Sequence, residues 1–397
     1  MHALINAASA HMGGALTYLT NILRCLPEVA PTDKFTVFAP EATRARLSSL
    51  AQKNIVLRDY PAEQTRGWRR LWFDQVLIPK IARQLNIDVL FSSTGFGTFV
   101  APCPEILLVR NPVYFSEDFA QTYRLLNRSL HRVRLRRWYS GLSVKFSDHV
   151  LFPTCAMKDM VESHVDLSNP FTDVIHYGFD RRNFFKEGAK PPGIVQKIRG
   201  WKREGYQILL NVSTYAVHKN FETLIEGLAH LKANNKRFRL ITTTSRERTS
   251  DKAEYDALQR RAGQLGVDEN WVESGYVPYE KLQFLYRDAD AYVFPSFTES
   301  FGHSLVEAMV SGLPVIAAGM PVNREVCSDA GCYFDTFDAK DCGQAIARVL
   351  AHADLRDEMR RASKRRAQDF SWQVYAEQLM AVFRRLAPAE TDSPVTS

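Results

Sequence analysis

Two glutamates eight positions apart, Glu299 and Glu307, stand in the run Val293-Phe-Pro-Ser-Phe-Thr-Glu299-Ser-Phe-Gly302-His-Ser-Leu-Val-Glu307-Ala-Met309. The apolar stretch Ala291 to Phe294, closed by Pro295, predicts a buried parallel strand. Ser304 to Val310 predicts a helix with Leu305, Ala308 and Met309 turned inward. Glu299 then lies on the connecting loop and Glu307 about one turn into the helix. The two carboxylates flank a helix N-terminus whose first N–H groups have no partner within the helix. Such a terminus favours phosphate, because its orphan donors and the positive end of the macrodipole point the same way. The arrangement suits an elongated ligand with hydroxyls at both ends and a diphosphate between, the form of a nucleotide sugar. On an exposed helix the same pair is a solvated face. The strand–loop–helix frame, with Phe301-Gly302 between the glutamates, argues for a site instead.

Other candidates lie further from this stretch. Lys219 follows the first strand of the second half at a helix start, where a cation opposes the dipole and suits an arriving diphosphate; a lone lysine there is otherwise solvated. Gly13-Gly14 forms a strand-to-helix turn that lets backbone approach a ligand, or is plain turn chemistry. It is not G-x-G-x-x-G, so no dinucleotide fingerprint is present. Arg110 ends the strand Ile106 to Val109, on the edge where open α/β sheets bind ligands. Its alternative is a loop-shaping pair with Glu117 or Asp118. Asp288-Ala289-Asp290 has the D-x-D form of a metal site but precedes its strand, so no metal is expected.

The elements that must position these residues alternate strand and helix. Strands are predicted at Leu4–Ala7, Lys34–Pro40, Ile55–Asp59, Asp88–Phe91, Ile106–Val109 and His149–Phe152, with helices between. The pattern restarts at Gln207–Val212 and continues through Phe238–Thr243, Trp271–Tyr276, the central strand and Pro314–Ala317. That alternation predicts doubly wound parallel sheets. Phe185 to Gly205, with Pro191-Pro192-Gly193, reads as a linker, and Asn323 to Gly331 as a connecting loop and turn. Domains are expected at 1–185 and 186–370, with a helix at 371–386 crossing back to the first and a disordered tail at 387–397.

The glutamate stretch, written Pro-Ser-x-x-Glu-x-Phe-Gly-x-x-x-x-Glu-Ala-Met, closely resembles the signature of glycosyltransferase family 4, retaining transferases of the GT-B fold. The resemblance is strong from Gly275 to Asp335 and weak before residue 150. It implies an α/β protein of two Rossmann-like doubly wound parallel-sheet domains facing across a cleft. It implies that Glu299 contacts the donor sugar and stabilises developing positive charge, while Glu307 holds the ribose hydroxyls. Ser300 and the backbone N–H groups of Phe301 and Gly302 would orient sugar and phosphate, with Lys219 and Gly14 at the diphosphate. Two positions depart from the family pattern. Arg110 stands where many members have His-Asp, and Thr214 stands where an Arg usually partners the Lys, with His218 or Arg246 as possible replacements. The expected activity is hexose transfer from a nucleotide diphosphate sugar to a saccharide or lipid-linked saccharide, in cell-surface polysaccharide synthesis. The alternative is a catalytically impaired GT-B partner subunit.

Bulk properties agree with this and narrow it. The 397 residues, 45% hydrophobic and 24% charged, have the composition of a soluble globular chain of two or three domains. No apolar run approaches the ~18 residues of a spanning helix, and no signal peptide is evident. The six scattered cysteines read as free thiols of a cytoplasmic protein. No cofactor is expected. A net charge of +7 invites an anionic partner, but no nucleic-acid motif accompanies it. The charge is concentrated: between Asp118 and Asp148 there is no acidic residue, and Arg124, Arg128, Arg132, Arg134, Arg136, Arg137 and Lys145 are all basic. With Leu126, Leu130 and Val133 on one face and Trp138 at its end, Arg124–Trp138 reads as a basic amphipathic helix. It either contacts membrane peripherally or packs as a solvated helix. The run Arg66-Gly-Trp68-Arg69-Arg70-Leu-Trp72 has the same character.

Overall fold

The computed structural model describes all residues except 9, 11, 12, 61–66, 169, 235, 236 and 388–397, and backbone alone at 60, 67, 68 and 234. Two compact units result. The first holds Met1–Phe115, His131–Gly178 and the chain from Trp372; the second holds Ser116–Leu130 and Phe179–Ser371.

In the first unit, β1 (His2–Asn6), β2 (Lys34–Pro40), β3 (Ile55–Tyr60), β4 (Val89–Ser92), β5 (Glu105–Leu108), β6 (His149–Phe152) and β7 (Phe171–Val174) form one parallel sheet. Its order is β3-β2-β1-β4-β5-β6-β7. In the second, β8 (Gln207–Asn211), β9 (Phe238–Thr242), β10 (Trp271–Glu273), β11 (Ala291–Phe294), β12 (Val315–Ala318) and β13 (Gly331–Phe334) run in the order β10-β9-β8-β11-β12-β13. Central strands such as Val-Ile-Ala-Ala of β12 are buried throughout, as helices on both faces require of a parallel sheet. Each sheet reverses its winding once, between β1 and β4 and between β8 and β11. Those switch points leave crevices at the strand ends.

The helix Trp372–Leu386 completes the first unit. Its Tyr375 hydroxyl lies 2.7 Å from that of Tyr18, on the helix Gly14–Val29. The expected tail, 387–397, falls outside the described residues from 388 onward.

Three stretches differ from the sequence reading. The linker Phe185–Gly205 contains a helix, Ile194–Arg203, that buries Val195 and Ile198 and turns its charges to water. The stretch expected as a loop from Asn323 starts inside a helix, Pro321–Cys327, with Pro321 in its first turn and Val322 and Val326 buried. Arg124–Trp138 is not one helix. Glu117–Leu125 ends where Asn127 adopts φ 52°, and the Arg128 N–H reaches back to the Tyr123 carbonyl at 2.8 Å. An asparagine in the left-handed region at that position is a common helix stop. A new helix then runs from His131 to Phe146. Leu130 is buried and Val133 half-buried, so the expected apolar face with Leu126 does not form. Arg66 lies outside the described residues.

Candidate active site

The second unit gathers its candidates at the β8/β11 switch point. After β8 the chain makes a single 3-10 turn, Val217–Lys219, stopped by Asn220 at φ 54°. Asparagine tolerates this left-handed conformation, and its side chain puts the position to use. The amide donates to the Pro295 carbonyl at 3.1 Å and the Thr336 carbonyl at 2.8 Å. Asn220 thereby ties the loop after β8 to the loop after β11. The Phe297 N–H adds a bond to the His218 carbonyl at 3.1 Å.

Those ties bring Lys219 and Glu299 together: ammonium and carboxylate oxygen are 2.5 Å apart. Burial pushes the Glu299 carboxyl up, but the Lys219 charge and hydrogen bond more than offset this, so it titrates below the ordinary carboxylate range. Glu299 is therefore charged at neutral pH.

Gly302 caps the helix His303–Val310 with φ 80° and ψ 65°. A Cβ there would meet the Leu305 side chain at 2.9 Å, so both space and backbone demand glycine. The Phe301 ring is anchored inward against Phe370, centroids 5.6 Å apart, which leaves its backbone to carry any ligand role. Ser300 is half-buried beside it. Glu307 is buried within the helix, and its carboxylate accepts from the Tyr286 hydroxyl at 2.8 Å. Burial raises its pKa to about 7, with the Tyr286 bond pulling the other way.

Of the two suggested replacements for the missing arginine, one is engaged elsewhere and the other is uncharged. Arg246 grips Asp256 through two bonds of 2.6 and 2.8 Å. His218 is held down to about 4 by burial and the adjacent Lys219 charge, and is neutral at pH 7. Thr214 itself is exposed. The D-x-D carboxylates are spoken for at the far end of β11: Asp288 pairs with Arg199 at 2.9 Å and Asp290 with Lys202 at 2.8 Å.

Gly14 and Arg110 belong to the first unit. Gly14 opens the helix Gly14–Val29 behind Gly13, which takes φ 60°. Arg110 lies over the Tyr18 ring at 5.4 Å. Tyr286 and the Ser116–Leu130 segment were missed by sequence reasoning. A tyrosine on an amphipathic helix gives no sign of its partner, and Asn127 was the one readable break.

Residues 196–366 match the model of the family described as glycosyl transferases group 1. The second unit is a group 1 glycosyltransferase domain. Mannosylfructose-phosphate synthase of Agrobacterium fabrum is 28% identical over 59% of this chain and 52% of its own. O-antigen chain mannosyltransferase B of Escherichia coli is 30% identical over 49% of each. The chain thus spans about half the length of these curated relatives. HepE from Anabaena, solved in complex with UDP-glucose, matches 97% of this chain and 100% of its own at 17% identity, with a TM-score of 0.72. Around the group 1 domain, the two Rossmann-like units have the GT-B fold.

Proposed function

We propose that the protein is a retaining family 4 glycosyltransferase that moves a hexose from a nucleotide diphosphate sugar to a saccharide or lipid-linked saccharide. The observation that carries this is the Lys219–Glu299 pair at the switch point, beside the Gly302-capped helix and the buried Glu307. An incoming diphosphate gives the ammonium a second anion to bridge. Glu299, charged and held by that ammonium, faces the positive charge that grows on the sugar ring. The bond from the anomeric carbon to the diphosphate oxygen breaks, and the acceptor oxygen bonds to that carbon on the same face. The acceptor's proton passes to the departing diphosphate. Glu307 accepts from the ribose hydroxyls, Ser300 and the Phe301 and Gly302 N–H groups orient sugar and phosphate, and Gly14 approaches the diphosphate. Arg110, which cannot give up its proton, adds positive charge rather than acting as a base.

The relatives named as mannosyltransferases and the UDP-glucose bound by HepE support a hexosyl donor and a role in cell-surface polysaccharide synthesis. The exposed Thr214 favours a second reading, a donor-binding partner subunit without activity of its own. A panel of UDP- and GDP-hexoses, followed by thermal shift and product NMR, separates the two. A donor that raises the melting temperature and yields an axial-to-axial or equatorial-to-equatorial product supports transfer. Binding without product favours the partner subunit, and no binding overturns both.

We place the membrane contact on Leu135, Trp138 and Phe146 rather than on Leu126, Leu130 and Val133. No helix among the described residues is long and apolar enough to cross a membrane. On His131–Phe146, Leu135, Trp138 and Phe146 are all more than half exposed and fall on one face. Arg132, Arg134, Arg136 and Lys145 are exposed on either side of that stripe. This face suits an anionic cytoplasmic leaflet, where each cation near the surface adds about 1 kcal/mol. Salt-sensitive co-sedimentation with anionic vesicles, lost in Trp138→Ser, tests it.

A further inference from the structure

Ser116–Leu130 leaves the first unit, packs within the second, and returns. Its contacts there converge on the Lys219–Glu299 pair from two sides. At one end Ser116 caps the helix Glu117–Leu125 by accepting from the Phe119 N–H at 3.1 Å. The same hydroxyl is 2.6 Å from that of Thr298, both buried, and Thr298 is the neighbour of Glu299. At the other end Arg128 forks across two carboxylates, 2.7 Å from Asp251 and 2.7 Å from Glu254. The other Asp251 oxygen accepts from the Val217 N–H at 3.4 Å, in the turn that carries Lys219. Between these grips Phe119 is buried and packs on the His218 ring, centroids 6.3 Å apart.

We propose that Ser116–Leu130 is a clamp on the donor site, in which Ser116, Phe119 and Arg128 are positioning residues that hold Lys219 and Glu299 in register. The proposal rests on the catalytic reading of that pair. One grip fixes the loop bearing the carboxylate, and the other fixes the turn bearing the ammonium. Neither touches the site directly, so displacement at either end changes the relation of the two charges. The Phe119 ring has a second task. Lys219, Glu299 and Asp251 all act on His218, and the aromatic cover denies its imidazole the water that would stabilise a proton. An imidazolium here would set a new positive charge against Glu299 and weaken its field at the sugar.

The test uses the full chain with Phe119→Ala, Phe119→Leu, Arg128→Lys and Arg128→Met. His218 is followed by NMR from pH 8 to 5.5, and kcat and donor KM are measured over the same range with the donor identified by thermal shift. The wild-type and Phe119→Leu imidazoles are expected to stay flat, and Phe119→Ala to titrate within the window. Its kcat falls at least fivefold from pH 8 to 6 while its KM follows the wild-type pH profile, a limb in kcat that the Leu variant lacks. Arg128→Met loses at least tenfold in kcat, and Arg128→Lys, which keeps charge but not the fork, recovers only part. Variants that fold, keep wild-type kcat and leave the His218 titration unchanged overturn the clamp. If the wild type turns over no donor, the catalytic reading fails by itself, and the His218 titration still decides whether Phe119 covers it.

Discussion

Glu105 and Glu307, one in each unit, are both buried and both pushed up to about 7 by that burial. They are built for opposite ends. Glu105 accepts from the Ser92 hydroxyl at 2.6 Å, from the Thr98 N–H at 2.9 Å and from the Thr98 hydroxyl at 2.5 Å. Its two oxygens are filled by the fold, and a Cβ at Gly97 would come within 2.9 Å of one of them. Among the described residues Glu307 accepts one hydrogen bond, from Tyr286. A carboxylate has room for about four donors, so Glu307 holds acceptor capacity in reserve at a sheet's switch point. Burial alone therefore does not mark a site. The count of donors already supplied separates a structural carboxyl from one awaiting a ligand.

The hardest test of that contrast lies at Glu299, whose charge is held by Lys219. Glu299→Gln should lower kcat about a hundredfold to a thousandfold, as removal of transition-state electrostatics does. Its donor dissociation constant by calorimetry should stay within about threefold. A large loss of binding would remove the distinction between the two glutamates of the site.

Glu307→Gln should weaken donor binding by about tenfold to a hundredfold, the worth of a hydrogen bond to a charged group. It should also stabilise the free protein. A folded-state pKa raised to about 7 means that ionising Glu307 costs stability. The cost is absent below the ordinary glutamate value, grows as pH rises toward 7, and then stays constant at about 3 kcal/mol at most. Scanning calorimetry should find the Gln variant's melting temperature above wild type at pH 8, with the gap closing by pH 5. The wild-type donor affinity should rise with pH through about 7, as the acceptor form becomes populated.

Glu105→Gln should do the reverse. Donor affinity should be unchanged, while the midpoint of urea unfolding at pH 5, where ionisation of Glu105 costs little, should drop by the equivalent of about 1–3 kcal/mol, because donors now face an amide N–H2. Weaker donor binding with unaltered stability would break the comparison. The smallest effect is expected at Arg110. Arg110→Lys keeps the charge but loses the planar fork over Tyr18, and should lower kcat/KM about tenfold, roughly 1.4 kcal/mol, with little change in melting temperature.

Much of this was readable from residue order. Apolar runs such as Lys34–Pro40 and Ala291–Phe294 are the strands expected of them, because burial on both faces leaves a continuous signature. Lys219 and Glu299 were legible as residues following strands, since strand ends are where a wound sheet opens. Their 2.5 Å contact was not, because it depends on Asn220 bridging two loops. Ile194–Arg203 was hidden by charges that cover its exposed face, and β7 by a Phe171 that is 75% exposed at the sheet edge. The docking of Ser116 on Thr298 joins positions 182 apart, and no local pattern encodes such a pair.

That separation, and the 357 positions between Tyr18 and Tyr375, bear on how the chain is made. Synthesis runs at roughly 5–20 residues per second, so Ser116 and Phe119 leave the ribosome about ten seconds or more before Thr298 exists. Tyr18 waits longer still, for Tyr375. Through that interval Tyr18, on the buried side of Gly14–Val29, lacks the Trp372 and Tyr375 rings that pack on it. Neither unit can close in order from the N-terminus, and a nascent chain halted before Trp372 would leave both the first helix and its sheet open to chaperones or to aggregation.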